Sequence, residues 1–322
     1  MKILVTGSEG SLMQAVIPHL LKAGHTVVGA DNFCRYGVIE RKRDYELKVG
    51  DLVDPVFAKS VVKGVDGVIQ AAARIYGVGG FHKYPADILA HDLTLHQNIL
   101  WGAVEHGVKK VAYISSSMVY EKVDKHPSVE ADVMEAKIPE TDYGLSKLTG
   151  ERLSMAFAQQ YKIPFTVWRP FNIITPHEKG EGEQGISHVF ADFIRLIVKE
   201  KKNPIPVLGD GQQVRCFTWI DDVASAIAKF SFDDKTNGEA FNLGNPEPVK
   251  MVDLGHAIYE ESQALGLLPK SDKPLTFSPT PIYKDDVKIR IPDVSKAEKI
   301  LGFKPTLKMR QSVRKCLELM PA

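Results

Sequence analysis

The sequence predicts an α/β fold, a doubly wound parallel sheet with a smaller, interleaved C-terminal lobe. Two observations carry this. Short β-branched runs alternate with amphipathic stretches through the first half, and three later stretches are richer in Pro, Gly and Lys with irregular periodicity. Strands and helices alternating at this spacing imply βαβ units, because a parallel neighbour is reached only by a crossover that carries the chain back across a sheet face.

In chain order, strands are expected at 3–5, 26–28, a run ending at Val49, 67–69 and 110–114, with helices at 15–23 and 92–106 between them. Two further strands are expected at 165–168 and 240–243, separated by a helix at 222–230. The irregular stretches 173–214, 247–286 and 295–319 are read as a lobe woven from several returns of the chain. No low-complexity linker separates the lobes, so they should share one rigid body with a cleft between them.

Composition limits the classes of function. At 322 residues the chain exceeds the usual size of one domain and can bury a full core. Its 41 basic and 40 acidic residues nearly cancel, which gives no field for nucleic acid or an anionic membrane, although a local cationic pocket remains compatible. Cys34, Cys216 and Cys316 are odd in number and form no C-x-x-C pair, so they are read as reduced thiols of a cytoplasmic protein without a metal site. Met1 runs directly into the strand pattern Lys2-Ile3-Leu4-Val5, and no stretch approaches the roughly 20 apolar residues of a membrane span.

The first strand enters Thr6-Gly7-Ser8-Glu9-Gly10-Ser11-Leu12-Met13, with a helix expected to begin near Gln14. Glycines at a strand-to-helix turn let the backbone close on a pyrophosphate, whose charge is stabilised by the amides at the helix N-terminus. Asp31 closes the second strand about 20 residues later, where a carboxylate accepts hydrogen bonds from an adenosine ribose and opposes a 2′-phosphate. A Rossmann-type site preferring NAD over NADP is therefore expected. Its candidate contacts are Gly7, Gly10, Ser11 and Leu12 at the turn, Asp31 and Asn32 at the ribose, and Asp51 and Leu52 at the adenine. Ala71 and Ala73, in the small-residue run after the fourth strand, form the wall.

Tyr143 and Lys147 are spaced i and i+4, which places phenol and ammonium on one helical face. A tyrosine titrates near about 10, and the reading is that Lys147 favours the phenolate and moves it toward neutral pH. Both residues are also expected to reach the cofactor. Ser115-Ser116-Ser117 ends the fifth strand at the carboxyl edge, where open α/β sheets bind ligands, so Ser116 is expected to hydrogen-bond the same substrate oxygen as Tyr143.

With these motifs the chain resembles the extended short-chain dehydrogenase/reductase superfamily, in its nucleotide-sugar epimerase/dehydratase branch. The resemblance runs through T-G-x-x-G at 6–10, Asp31, Asp51-Leu52, Ser115 to Tyr120, Y-x-x-x-K and Arg169-Pro170-Phe171-Asn172. It continues through Gly209-Asp210-Gly211, the run Arg215 to Val223, Phe241-Asn242-Leu243-Gly244 and Arg290-Ile291-Pro292-Asp293. It implies an NAD-binding domain over 1–172, with returns near 216–246 and 287–294, and a lobe over 173–322 that binds a nucleotide-diphosphate sugar. Ser117, Asn172, His188, Val207, Arg215 and Arg290 are the implied substrate contacts, with both arginines on the diphosphate. The resemblance also implies a homodimer paired through the helices near 92–106 and 143–161.

The departures are informative. Met13 replaces the third glycine of the turn, which would hold the first helix slightly off its strand, and Asp92 stands where relatives commonly have Asn. Ser117-Met118 stands where 4,6-dehydratases carry Asp-Glu; decarboxylases of the branch carry Glu, and 3,5-epimerases Cys, at the second position. Met118 neither gives nor takes a proton. The segments 72–81 and 207–215 nevertheless look like the GDP-mannose 3,5-epimerases, for which Lys179 or His188 would have to replace the absent Cys. The expected activity is 4-epimerisation through a 4-keto sugar. The alternatives are net oxidation or reduction of a keto-sugar nucleotide, 3,5-epimerisation, or a non-catalytic dinucleotide sensor.

Overall fold

The computed structural model describes residues 1–320 apart from positions 39, 184 and 285. Strands β1 (Lys2–Thr6), β2 (Thr26–Asp31), β3 (Glu46–Val49), β4 (Gly67–Gln70), β5 (Lys110–Ile114) and β6 (Phe165–Pro170), with the strand Glu239–Leu243, form a seven-stranded sheet. Its order is Glu239–Leu243, β6, β5, β4, β1, β2, β3, and all neighbours are parallel. The strand order reverses between β1 and β4, so their carboxyl ends open the crevice in which such sheets bind ligands.

Helices cover both faces, which is why β1, β4 and β5 read as continuous apolar runs. On one face α1 (Ser11–Lys22) packs on the helix Ile220–Phe230, around Ile3, Val5, Ile69, Trp168 and Phe241. On the other, α2 (Pro55–Val62), α4 (Pro85–His106) and the helix Asp142–Tyr161 pack around Leu4, Val28, Val68 and Val111. The short α3 (Val78–Lys83) lies between β4 and α4 and reaches over the crevice. Met13 is buried in the α1 core, so the side chain at the third glycine position is absorbed by apolar packing.

Two boundaries differ from expectation. α1 starts at Ser11 because Gly10 is its cap, and α4 starts at Pro85, whose fixed φ suits a first helical position. The start of α4 was hidden because His91 and Asp92 interrupt the apolar period where the helix passes the crevice. The second lobe is more regular than its composition suggests. Helices Met251–Ala264 and Met309–Leu319 pack together through Leu254, Ala257 and Ile258 against Val313, Cys316 and Leu317. Gly255 and His256 masked the first of these periods. The helix Val189–Phe193 continues as a π-helix, Ile194–Lys199, along the cavity wall. Among the described residues no helix is long and apolar enough to cross a membrane.

Candidate active site

The glycine turn is held open by its own geometry. Gly7 has φ +63, and a Cβ there would stand 3.0 Å from the Ala72 backbone; one on Gly10 would stand 3.0 Å from the Gly7 carbonyl. Thr6 fixes this approach by accepting the amides of Ala71 and Ala72 at 3.0 and 3.1 Å. No side chain caps the N-terminus of α1, so its first amides keep their capacity for an anion. Asp31 accepts the amides of Glu9 and Phe33 at 2.9 and 2.7 Å, while Asn32 donates to Asp51 at 3.1 Å. A cavity of about 110 Å³ joins Gly7, Gly10, Ser11, Asp31, Asn32, Asp51, Leu52, Ala71 and Ala73.

A larger cavity of about 260 Å³ adjoins it, and Ser11, Ala71, Ile75, Glu178 and His188 line both. Leu12, Ser116, Tyr143 and Lys147 line the larger one. Ser116 caps the turn Ser117–Tyr120, accepting the Met118 amide at 3.2 Å, and its hydroxyl is hydrogen-bonded to the Tyr143 phenol. Tyr143 stands in the first turn of a helix capped by Thr141, which accepts the Gly144 amide at 3.1 Å. One turn on, the Lys147 ammonium donates to the Ile114 carbonyl at 3.2 Å and lies 5.7 Å from the Tyr143 ring centre.

The phenol does not behave as the spacing suggested. Burial pushes its pKa up, and Asp92 adds to this; the Ser116 hydrogen bond and the Arg290 charge offset only part, leaving it at about 12. Burial likewise lowers the pKa of Lys147, against the charges of Asp92 and Glu151. Spacing placed the ammonium but could not show how dry the site is. Phe81 stacks on Tyr143 with ring centres 4.6 Å apart and planes within 8°, and Ile88 and Met118 complete an apolar cluster around the phenol.

Ser117, Asn172, His188, Val207, Arg215 and Arg290 all line the larger cavity. Arg215 pairs with Asp286 at 3.2 Å. Arg290 rests one nitrogen on the Met118 sulfur, donates another to Asn172 at 3.3 Å, and has no partner for Nε among the described residues. Burial and then the neighbouring Arg215 bring its pKa down to about 9. A buried, under-compensated guanidinium is costly unless an anion meets it. His188 is tied to Glu178, Nδ1 to Oε1 at 2.8 Å. Lys179 is not among the residues lining the cavity, and its carbonyl accepts the Ser187 hydroxyl at 3.3 Å.

A family model described as the NAD dependent epimerase/dehydratase family matches residues 3–244. The chain belongs to that family. It is 28% identical over 331 residues to an uncharacterized UDP-glucose epimerase of Bacillus subtilis (strain 168), covering 97% of this chain and 96% of that one. It is 26% identical over 318 residues to GDP-mannose 3,5-epimerase 1 of Oryza sativa subsp. japonica, covering 98% and 80%. Its structure superposes with a TM-score of 0.84 and 25% identity on the UDP-glucose 4-epimerase of Thermotoga maritima with UDP-glucose, over 99% of this chain and 98% of that one.

The cofactor of this epimerase/dehydratase is NAD, and the residues present fit it. The open glycine cradle and the uncapped helix start would hold its pyrophosphate, and the carboxylate at Asp31 its ribose. Several neighbours of the site carry no local sequence signal. Phe81, Glu178 and Asp286 act through contacts from distant segments. The run Gly77-Val78-Gly79-Gly80 before Phe81 is the exception. Gly77 and Gly79 donate their amides to the carbonyls of Ile186 and Gly185 at 2.8 and 2.9 Å, and a Cβ on Gly77 would stand 2.1 Å from the Ser187 carbonyl oxygen. Only glycine permits that approach, which clasps α3 to the second lobe and sets Phe81 over Tyr143.

Proposed function

We propose that this protein is a nucleotide-sugar epimerase that inverts C4 through a transient 4-keto sugar. The observation that carries the reading is Met118. It stands with Phe81 and Ile88 around Tyr143, where a dehydratase, a decarboxylase or a 3,5-epimerase would need an ionisable side chain. Proton transfer beside the reacting carbon then belongs to Tyr143, which takes the proton of the C4 hydroxyl and returns it in the second half of the cycle. Ser116 hydrogen-bonds the same oxygen and steadies its changing charge. NAD, when bound, supplies the hydride acceptor and a positive charge that favours the phenolate. Arg215 and Arg290 hold the diphosphate while the sugar presents its other face.

Similarity to a 3,5-epimerase and the His188–Glu178 pair in the cavity favour a second reading, in which His188 moves a proton at C3 or C5. Turnover in deuterated water separates the two. Hydride shuttling at C4 leaves every carbon-bound sugar hydrogen unlabelled, whereas proton abstraction next to a ketone exchanges it with solvent. Deuterium at C3 or C5 in the NMR spectrum of the product would overturn the 4-epimerase reading. Net redox is separated by absorbance at 340 nm, which an epimerase that retains its NAD leaves unchanged.

The same reading includes a homodimer. The helix pair α4 and Asp142–Tyr161 leaves Trp101 41% and Met155 40% exposed, an apolar face suited to a matching pair in a second copy. Light scattering at micromolar concentration should give twice the chain mass of 35.7 kDa; the single-chain value would refute it.

A further inference from the structure

The glycine turn carries an acidic side chain that none of the steps above uses. Glu9 stands between Gly7 and Gly10, and its side chain is only 4% exposed. Arg43 donates to it at 2.8 and 3.1 Å, and Arg41 at 3.3 Å to each oxygen, while the Tyr45 hydroxyl closes on the same carboxylate. Burial alone would raise the Glu9 pKa, but Arg43, Tyr45 and Arg41 outweigh it and hold the carboxyl at about 2. The Glu9 backbone amide meanwhile donates to Asp31, so both acids are anchored at one end of the smaller cavity, which both line.

We propose that Glu9 is a specificity-determining residue for the cofactor, which keeps Arg41 and Arg43 engaged and sets a second negative charge beside Asp31, so that a ribose 2′-phosphate is refused. The inference rests on placing the adenosine ribose at Asp31. Glu9, Asp31, Asp51 and Glu178 line the cavity with Arg35, and Arg41 and Arg43 stand behind Glu9, so a phosphate carrying about −1.5 to −2 charges meets no net positive field there. Loss of the Glu9 charge takes one negative charge from the lining and leaves Arg41 and Arg43 behind it without their carboxylate, two guanidinium forks whose geometry suits phosphate oxygens. A merely structural role for Glu9, pinning the segment of Arg41 to Tyr45 on the turn, would weaken NAD and NADP binding together.

The test is competitive displacement of labelled NAD by NADP from the purified protein, read as the ratio of the two affinities. Glu9→Gln keeps the shape and removes the charge, and it is expected to raise the ratio in favour of NADP by about tenfold. Arg41→Ala and Arg43→Ala added to Glu9→Gln should return the ratio toward wild type. A ratio that stays within about twofold of wild type in Glu9→Gln, or a gain that survives loss of both arginines, overturns the proposal. Should Glu9→Gln fail to fold, Arg41→Ala with Arg43→Ala in the native background must lower the NADP share, and an unchanged share overturns it equally. Asp31→Ala serves as the control on placement. If it alters neither affinity, the ribose does not lie at Asp31, and the proposal fails on that ground rather than on Glu9.

Discussion

Replacing Tyr143 by Phe is expected to remove nearly all turnover while NAD remains bound, a loss of about 100- to 10,000-fold in kcat. The substitution leaves packing intact. A Phe ring keeps the parallel stack on Phe81 and the contacts with Ile88 and Met118, and loses only the hydroxyl that meets Ser116. Phe81, Ile88 and Met118, the buried side chains packed against the ring, neither give nor take a proton, so none of them takes over its step. The stoichiometry of bound NAD and the thermal midpoint, measured with kcat, separate a chemical loss from a folding one. Activity above about a tenth of wild type would remove Tyr143 from the acid/base role.

Arg290→Met is expected to raise KM for the nucleotide sugar by about thirtyfold or more, corresponding to about 2 kcal/mol for truncating one partner of a buried charge contact. The free protein should be no less stable, and is expected to gain. Arg290 is buried, contacts only a thioether and an amide oxygen, and leaves Nε without a partner among the described residues. Burial and the neighbouring Arg215 hold its folded pKa below the ordinary guanidinium value, so the unfolded chain binds the proton more tightly. That destabilising effect is fully present at neutral pH and fades only as pH rises above about 9 toward the ordinary guanidinium value. An apolar side chain of similar length removes it. A normal KM with a lowered melting temperature would show that Arg290 holds the fold rather than the substrate.

Sequence pattern alone located all seven strands of the central sheet, because most are buried runs rich in β-branched residues, and their alternation with helices implies parallel crossovers. It also brought Gly7, Gly10, Asp31, Ser116, Tyr143 and Lys147 to the carboxyl edge, since local geometry dictates where a strand-to-helix turn and an i, i+4 pair must face. The helices Met251–Ala264 and Met309–Leu319 escaped this reading because their apolar stripes are broken by Gly255, His256 and charged residues, and they are stabilised by each other. What the tertiary structure alone decided is the environment of the chemistry. Phe81, Met118 and Ile88 reach Tyr143 from three separate segments and dry it, which is why its pKa lies near 12 rather than below 10. Arg41, Arg43 and Tyr45, in the segment between β2 and β3, likewise converge on Glu9 through tertiary contacts. Burial and charge pairing depend on residues distant in the chain, whereas periodicity, turns and spacing are properties of neighbours.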